Sequence, residues 1–475
     1  MYDILLKDVK KAHEFEELIK IFLRPSEFRL FSDDTDNVKV PEGERPDDES
    51  ADFVFEASDD KNVLKKDIYL ALRNLTGIIP AWGIITGIRP VKLAGEIVRS
   101  CGGSFEEARR ILLDSYCVTE EKADKALDIY RYQQDTSGQP DERSVSVYIG
   151  IPFCPTRCLY CSFTSNQKDE KEISRYLESL DREMDMVAGS MDEMGLYAES
   201  VYIGGGTPTT LDAETLGRFL EKTENLFISP ETREFTLEAG RADTITEEKL
   251  SEALRHGVDR ISVNPQSMKQ ETLDIIGRET RVEEIEKAFS IAAGSGIRTV
   301  NADIIAGLPS ETVDDFAHTL DRVLSYGPEN VTVHDLAVKR SSRLAGVDRD
   351  YHYKAAKTVS DMLRLSEERM SDAGYRAYYL YRQKQMAGAG ENTGYCLAGH
   401  EGLYNIRIME EAQTIIALGA GGISKVYFPS ENRHERVANV SNYEIYIERT
   451  EEMLERKRKN LFWPLKKYRE EKNAY

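Results

Sequence analysis

The chain has 475 residues, a formal net charge of −21 at pH 7, and 40% hydrophobic and 31% charged residues. This length exceeds what one hydrophobic core usually covers, so two or three domains are expected. The acidic balance disfavours nucleic acid and anionic membrane surfaces as partners, because both carry negative charge. No apolar run approaches the roughly 20 residues that span a bilayer, and residues 1–8 lack the features of a signal peptide, so a cytoplasmic protein is expected.

Residues 1–143 are predicted to form a separate α+β domain whose role the sequence does not indicate. The predicted elements are a helix over 9–23, β-like runs at 27–31 and 52–57, a helix over 61–75, and several helices from 90 to 132. Polar residues fill the segment 135–141 together with Gly138 and Pro140, which is the composition of a linker.

Short β-rich runs alternate with amphipathic helices over residues 144–381. The predicted strands are 146–151, 200–203, 234–238, 260–264, 299–305 and 330–334. The predicted helices between them are 171–188, 213–226, 247–256, 282–293 and 312–325. Parallel strands with right-handed crossovers curl toward a barrel, and functional loops follow their carboxyl ends. We therefore predict an α/β fold with a partial (β/α)6 barrel, followed over 382–475 by a small α+β extension with a helical end, which would cover substrate or cofactor.

Three of the six cysteines, Cys154, Cys158 and Cys161, lie within eight residues directly after the first of these strands. Thiolates are the usual ligands of iron–sulfur centres, and a short loop brings them together without long-range closure. Three ligands for a 4Fe-4S cluster leave one iron open to chelate S-adenosylmethionine (SAM), whose carbon–sulfur bond then breaks to give a radical. A zinc site completed by a distant His and three unrelated buried thiols are the alternatives, but no second cysteine pair exists, which favours the cluster. The remaining cysteines are expected to be small buried hydrophobes: Cys101, Cys117 and Cys396.

The glycine run Gly204–Gly206, followed by Thr207 and Pro208, ends the second predicted strand. Glycines let the backbone approach a ligand closely and leave amide groups accessible. Such amides suit the amino and carboxylate groups of SAM better than a phosphate, because no Lys follows as in a P-loop. A tight turn is the alternative interpretation, and the position at a strand end beside the cysteines favours a ligand site.

Together, Tyr148, the segment Ile151–Cys154, the cysteines and the glycine run resemble the radical SAM family of oxygen-independent coproporphyrinogen III oxidases over about residues 145–425. The resemblance implies a 4Fe-4S cluster and SAM as cofactors, with the three clustered cysteines as the metal ligands. It also implies SAM contacts from successive strand ends, namely Tyr148, Tyr160, Gly205, Gly206, Thr207, Glu238, Gln266, Arg278, Asp303, Ala337 and Ile423. Polar groups that end apolar strands are suited to bind ribose hydroxyls and the methionyl amine, although each by itself could instead cap the next helix.

Segments 86–90, 378–384 and 391–395 resemble the HemZ-type coproporphyrinogen dehydrogenase branch of that family. The resemblance implies oxidative decarboxylation of two propionates of coproporphyrinogen III to vinyl groups, giving protoporphyrinogen IX, with an unidentified electron donor and acceptor. The best-known enzymes of the family carry a further cysteine two residues after the third ligand. That residue is Phe163 here, as in the related haem chaperones. A haem-binding chaperone of the same fold, or a radical SAM enzyme that acts on another tetrapyrrole, is therefore the alternative function.

An anionic tetrapyrrole needs a local basic patch in so acidic a chain. The candidate cations are Lys339, Arg340, Arg343, Arg382 and Lys384. A haem carrier would also need a protein ligand to iron, for which His334 and His400 are candidates. The basic run 456–459 is predicted to be a solvated helix face.

Overall fold

The computed structural model describes residues 1–9, 11–32, 46, 48–163, 165–339, 342–348, 351–383 and 390–473. The chain forms two compact units. Met1–Arg131 and Leu380–Glu391 make up the smaller unit, and Tyr132–Tyr379 and Asn392–Tyr475 make up the larger unit. The expected division into three domains at residues 143 and 381 stays a prediction. Over the described ranges, no helix combines the length and the apolar composition that crossing a bilayer requires.

The smaller unit is built on a parallel three-stranded sheet with the order β2-β1-β3. The strands are β1 (Tyr2–Lys7), β2 (Phe28–Ser32) and β3 (Phe53–Glu56), and the first helices of the chain are α1 (His13–Phe22), α2 (Lys61–Thr76), α3 (Pro90–Ser100), α4 (Phe105–Asp114) and α5 (Glu120–Thr136). Strand β1 is the central strand and was not predicted, although its Ile4 and Leu6 are fully buried. Three consecutive apolar residues do not distinguish a buried strand from other buried segments by periodicity.

The segment 380–391 belongs to the smaller unit and is anchored there by a buried carboxylate. Glu391 is 3% exposed and accepts a hydrogen bond from Trp82 Nε1 at 2.9 Å. The Nζ atoms of Lys122 and Lys125 lie 2.7 and 3.1 Å from Oε1 of the same carboxylate. Burial by itself would raise the pKa of Glu391, but the two ammonium groups lower it to about 2. The carboxylate is therefore charged and paired at neutral pH.

The larger unit contains an eleven-stranded sheet in the order β10-β11-β9-β8-β7-β6-β5-β4-β12-β13-β14. The strands are β4 (Ser144–Ile151), β5 (Tyr197–Gly205), β6 (Glu234–Leu237), β7 (Arg260–Ser262), β8 (Thr299–Ala306), β9 (Asn330–Asp335), β10 (Arg376–Tyr381), β11 (Asn392–Cys396), β12 (Thr414–Leu418), β13 (Ile423–Phe428) and β14 (Arg433–Ala438). Strands β4 to β9 are neighbours in chain order and every pair is parallel. The six predicted strands and the partial (β/α)6 barrel are confirmed.

The helices of the larger unit are α6 (Glu170–Glu193), α7 (Ala213–Phe227), α8 (Glu247–Arg255), α9 (Gln270–Ile275), α10 (Val282–Gly294), α11 (Val313–Ser325), α12 (Arg343–Val347), α13 (Tyr351–Asp372), α14 (Leu403–Glu410), α15 (Tyr443–Glu448), α16 (Thr450–Lys457) and α17 (Trp463–Asn473). Helices α6, α7 and α11 begin after Asp169, Asp212 and Thr312. Each of these side chains accepts a hydrogen bond from a backbone N–H three residues later. The caps satisfy donors that would otherwise have no partner, and they set where each crossover helix begins.

The strands of the predicted extension complete the same sheet as the barrel strands. Strand β12 pairs in parallel with β4, while β13 and β14 add to it in antiparallel order. The turn between β12 and β13, Gly419–Gly422, therefore lies beside the carboxyl end of β4.

Buried charges occupy the opposite, amino-terminal edge of the parallel strands. Arg407 is fully buried and donates from Nε and Nη2 to the two carboxylate oxygens of Glu199, both at 3.0 Å. Gln413 donates to the same carboxylate at 2.7 Å. This pair joins α14 to β5 at the end of the sheet opposite the carboxyl ends, which ligand-binding loops follow.

Candidate functional site

The cysteine loop follows the carboxyl end of β4 and is held by the ends of its neighbours. Leu159 N donates to Ile276 O, at the end of α9, at 2.8 Å. Arg241, which follows β6 and is 3% exposed, donates from Nη1 to Thr156 Oγ1 at 2.7 Å. These contacts hold the loop from two sides without using the thiols.

The Cys154 thiol interacts electrostatically with the other two thiols of the loop. The pKa of Cys154 is raised to about 11, chiefly by burial; a contact of 3.5 Å with Thr207 Oγ1 acts to lower it, and the neighbouring Cys161 and Cys158 act to raise it. No three His, Cys, Asp or Glu side chains in the described part of the chain converge on one point as the ligands of a single ion do. A cubane cluster does not require such convergence, because each thiolate binds a different iron. Three free thiols on one anchored loop therefore fit a 4Fe-4S cluster.

The glycine turn after β5 packs tightly against the cysteine loop. A Cβ on Gly206 would lie 2.4 Å from Phe153 O, and a Cβ on Gly204 would lie 2.5 Å from Glu238 Oε2. The amides of Gly206 and Thr207 donate to Ile151 O and Phe153 O at 2.8 and 2.7 Å. These two amides are therefore satisfied within the protein, and contact of Gly205, Gly206 and Thr207 with SAM stays a prediction. The glycines are required because the turn approaches its own chain so closely.

Two carboxyl groups have opposite pKa shifts: Glu238, directly after β6, and Asp303, within β8. The pKa of Glu238 is raised to about 8, chiefly by burial and also by the nearby charge of Asp303, while the N–H of Gly205 acts to lower it. Burial also acts to raise the pKa of Asp303, but His334 Nε2, 3.6 Å away, and Asn301 Nδ2, 2.8 Å away, lower it overall. At neutral pH one group is protonated and the other is ionised, so the pair offers both a donor and an acceptor.

Gln266, which follows β7, has a strained backbone, and its side-chain carbonyl oxygen has no partner among the described residues. Its φ of 66° is in the left-handed region, which is uncommon for a residue other than glycine. Hydrogen bonds from Gln266 N to Asp303 O at 3.0 Å and from Ile305 N to Gln266 O at 3.1 Å hold this conformation. The buried Oε1 atom has no hydrogen-bond donor among the described residues. Strain and an orphaned acceptor together are typical of a ligand site.

Arg278 connects the strand ends to the cysteine loop. It is 4% exposed and donates from Nη2 to Gly240 O at 2.6 Å and to Asn264 O. Its Nη1 lies 3.5 Å from the hydroxyl of Tyr160, in the cysteine loop. Much of the guanidinium is thus used on the protein itself, and the contact of Arg278 with SAM stays a prediction.

A cavity of about 260 Å³ lies at this end of the sheet, and three predicted site residues line it: Tyr148, Gly205 and Ile423. Tyr404 and Lys425, which were not predicted, line it too. The Tyr404 ring lies 4.7 Å from that of Tyr202 and 6.2 Å from that of Tyr148. No local pattern indicates Tyr404, because both of its ring partners are more than 200 residues away in the chain. Ala337 is half-buried just after β9.

A fully buried ion pair anchors the Gly419–Gly422 turn. Nζ of Lys457 lies 3.0 Å from Oε1 of Glu183, and both side chains are 0% exposed. The other oxygen of Glu183 accepts from Gly419 N at 2.8 Å and from the hydroxyl of Tyr446 at 2.5 Å. The prediction of a solvated helix face is therefore wrong for Lys457. Neither the spacing of residues along α16 nor the run of basic residues indicates that the Lys457 side chain turns inward.

The structure describes three of the five cations of the predicted basic patch. Arg340 and Lys384 lie outside the described residues. Arg382 is 7% exposed within the smaller unit, where it donates to Ile85 O and, at 3.3 Å, to Gly390 O, so it is not a solvent-facing cation. Nζ of Lys339 lies 6.0 Å from the ring centroid of Phe163. Arg343 begins α12 and is exposed.

The two candidate haem ligands lie at different ends of the sheet. His334 is beside Asp303, at the carboxyl ends of the strands. Nδ1 of His400 is 2.8 Å from Oγ1 of Thr299, the first residue of β8, which is the opposite edge. His400 is therefore not part of the site formed by the cysteine loop.

Comparison with known proteins agrees with this geometry. The Radical SAM superfamily pattern matches residues 148–323. The oxygen-independent coproporphyrinogen-III oxidase-like protein HemZ of Bacillus subtilis is 39% identical over 84% of this chain and 81% of its own. The heme chaperone HemW of Haemophilus influenzae is 25% identical over 60% of this chain and 71% of its own.

The solved structure of coproporphyrinogen III oxidase (HemN) of Escherichia coli, a radical SAM enzyme, is similar with a TM-score of 0.53, at 20% identity, over 68% of this chain and 73% of that chain. This likeness supports the fold. The similarity to HemZ spans most of both chains, and the superfamily match includes the cysteine loop, the glycine turn and the strand ends. The chain therefore belongs to the coproporphyrinogen oxidase-like family of radical SAM proteins, which use a 4Fe-4S cluster and SAM.

Proposed function

We propose that the chain is an oxygen-independent coproporphyrinogen III dehydrogenase of porphyrin biosynthesis. In this reaction each of two propionate side chains loses a hydrogen atom, carbon dioxide and one electron, which leaves a vinyl group and yields protoporphyrinogen IX. The name of the Bacillus subtilis relative, at 39% identity over 84% of the chain, supports this substrate. An electron donor and an acceptor are required as partners.

The observation that carries the proposal is the position of two hydrogen-bond acceptors, Glu238 and Gln266, at the strand ends beside the cysteine loop. When bound, the cluster and SAM supply an electron and the radical that abstracts hydrogen. In this proposal Cys154, Cys158 and Cys161 hold the cluster. Glu238 and the orphaned Oε1 of Gln266 hydrogen-bond to SAM. The other residues of the SAM site are those implied by the family resemblance.

An anaerobic product assay tests the function. Cluster-loaded protein with SAM, a reductant and coproporphyrinogen III should consume SAM, release carbon dioxide and form protoporphyrinogen IX. Boiled protein and protein without SAM are the controls. SAM cleavage without any decarboxylated product would rule out the dehydrogenase.

A haem-binding chaperone is the second candidate, and Phe163 favours it. This residue stands where the best-known enzymes of the family have a further cysteine, and the chain is 25% identical to a heme chaperone over 60% of its length. Such a protein would bind haem stoichiometrically and form no protoporphyrinogen. A radical SAM reaction on another tetrapyrrole would instead show SAM consumption that depends on that compound.

Replacing Glu238 by Gln should weaken SAM binding by about 1–3 kcal/mol, the cost of one impaired buried hydrogen bond. Because the pKa of Glu238 is raised to about 8, its carboxyl is protonated at pH 7 without SAM. If the ionised form accepts from ribose hydroxyls, binding releases a proton, so affinity should rise with pH up to about 8 and then level off. Calorimetric titration with SAM at about pH 6 and pH 8.5 measures this.

The Glu238→Gln variant should lose the pH dependence, while Glu283→Gln, whose side chain is 76% exposed, should keep it. The same raised pKa means that the folded protein binds more protons than the unfolded chain between about pH 4.5 and 8. Stability without SAM should therefore fall as pH rises through that window. Loss of the cluster in Glu238→Gln would contradict a role in SAM binding alone.

A further inference from the structure

The cavity beside the glycine turn is too small for a tetrapyrrole. Its volume is about 260 Å³, below the roughly 300–1,000 Å³ of sites that enclose a drug-sized ligand. A macrocycle bound here would therefore extend beyond the cavity and contact the side chains at its mouth. The side chains at that mouth decide which substrate is recognised.

Two large apolar side chains on the cavity lining are exposed. Phe163 is 65% exposed and Ile423 is 50% exposed. Phe163 lies two residues after Cys161, and Ile423 begins β13. Exposed apolar side chains that border one cavity are typical of a ligand surface, whereas single ones elsewhere need no explanation.

A cation lies next to the aromatic ring of Phe163. Nζ of Lys339 is 6.0 Å from the ring centroid and comes from the loop after β9. No Asp or Glu of the described chain pairs with this ammonium group, unlike Lys425 on the cavity lining, which lies 3.2 Å from Glu411. An apolar ring face with an adjacent ammonium group suits a molecule that has an apolar ring and carboxylates at its edge.

We propose that Phe163 and Lys339 form the substrate platform. The macrocycle packs on Phe163 with Ile423 at its border, and Lys339 binds one propionate carboxylate. This inference rests on the proposed function. It assigns to Phe163 and Lys339 the recognition of a tetrapyrrole that carries carboxylates. It also explains why a phenylalanine is present at position 163, where its ring contributes contact area and cannot ligate iron.

Binding of coproporphyrin III, the fluorescent oxidised form of the substrate, tests the platform. Anaerobic, cluster-loaded protein with SAM is titrated and fluorescence is recorded. Phe163→Ala should lower the affinity about 3- to 10-fold and Phe163→Trp should retain it, because stacking depends on an aromatic face. Lys339→Met should lower it about 10-fold or more by removing a charge-assisted contact. For coproporphyrin tetramethyl ester, which has no carboxylate, only the Phe163→Ala effect should persist.

Matched controls use residues with similar exposure away from the cavity. Trp463→Ala removes an aromatic side chain that is 63% exposed, and Lys357→Met removes an ammonium group whose side chain is 90% exposed. Neither should change porphyrin binding, and no variant should change cluster content or SAM affinity.

The outcomes separate this inference from the proposed function. If the unaltered protein binds no coproporphyrin III, the substrate class and the proposed function are wrong. If it binds tightly but the platform variants bind equally well, the platform is wrong and the function stands. If Phe163→Ala changes only the rate at which a protein reductant reduces the cluster, Phe163 belongs to a docking surface for that partner, and the inference is overturned.

Discussion

Replacing Cys154, Cys158 and Cys161 together by Ala should abolish iron–sulfur binding. The unaltered protein, reconstituted anaerobically, should hold about four irons per chain and show the broad absorbance of a 4Fe-4S cluster. The variant should retain its fold, because hydrogen bonds such as Leu159 N to Ile276 O hold the loop independently of the thiols. Iron and sulfide analysis measures the iron content, visible absorption measures the absorbance of the cluster, and circular dichroism measures whether the fold is retained.

The remaining cysteines provide the control. Replacing Cys101, Cys117 and Cys396 by Ala should leave iron content unchanged. Cys396 is fully buried in β11, and burial raises the pKa of its thiol, which disfavours the thiolate that binds metal. Loss of the cluster on replacement of any of these three would disprove the assignment of ligands. The chain belongs to a family that uses the cluster, so the experiment tests which cysteines hold it.

Replacing Lys457 by Met should destabilise the larger unit by about 3–5 kcal/mol. The substitution leaves the carboxylate of Glu183 buried without its counter-charge, which costs far more than loss of a surface pair. Burial would raise the pKa of Glu183, but Lys457 and the N–H of Gly419 lower it overall. A depressed folded pKa contributes stability above the ordinary carboxyl pKa, and that contribution is lost as pH falls. Urea unfolding at about pH 7 and pH 4 measures both effects.

Lys459→Met is the matched control, since Lys459 is exposed in the same basic run. It should change the free energy of unfolding by less than about 0.5 kcal/mol. The double variant Glu183→Gln with Lys457→Met should recover part of the loss, because no unpaired charge remains. Equal stability of the two single lysine variants would show that the buried pair does not hold the Gly419–Gly422 turn.

Local patterns in the sequence determined most of the architecture around the site. The six parallel strands follow from the alternation of buried β-rich runs with amphipathic helices, and each signal lies within about 15 residues. The cysteine loop is likewise local, since Cys154, Cys158 and Cys161 are close in the chain. Glu238, Gln266 and Asp303 could be ordered along the sheet, because the carboxyl ends of parallel strands share one edge.

Only the tertiary structure decided how distant segments meet. Gly206 is required because Phe153 O, more than 50 residues earlier, lies where a Cβ would be, and Lys457 is buried because Glu183 faces it from α6. Tyr404 lines the cavity, where its ring packs near the tyrosine rings of β4 and β5, and Arg382 donates a hydrogen bond to Ile85 O. Such contacts depend on the packing of whole elements, and residue type and spacing do not encode them locally. The sequence by itself therefore determined which chemistry the strand ends can support, and the tertiary packing decided which side chains surround it.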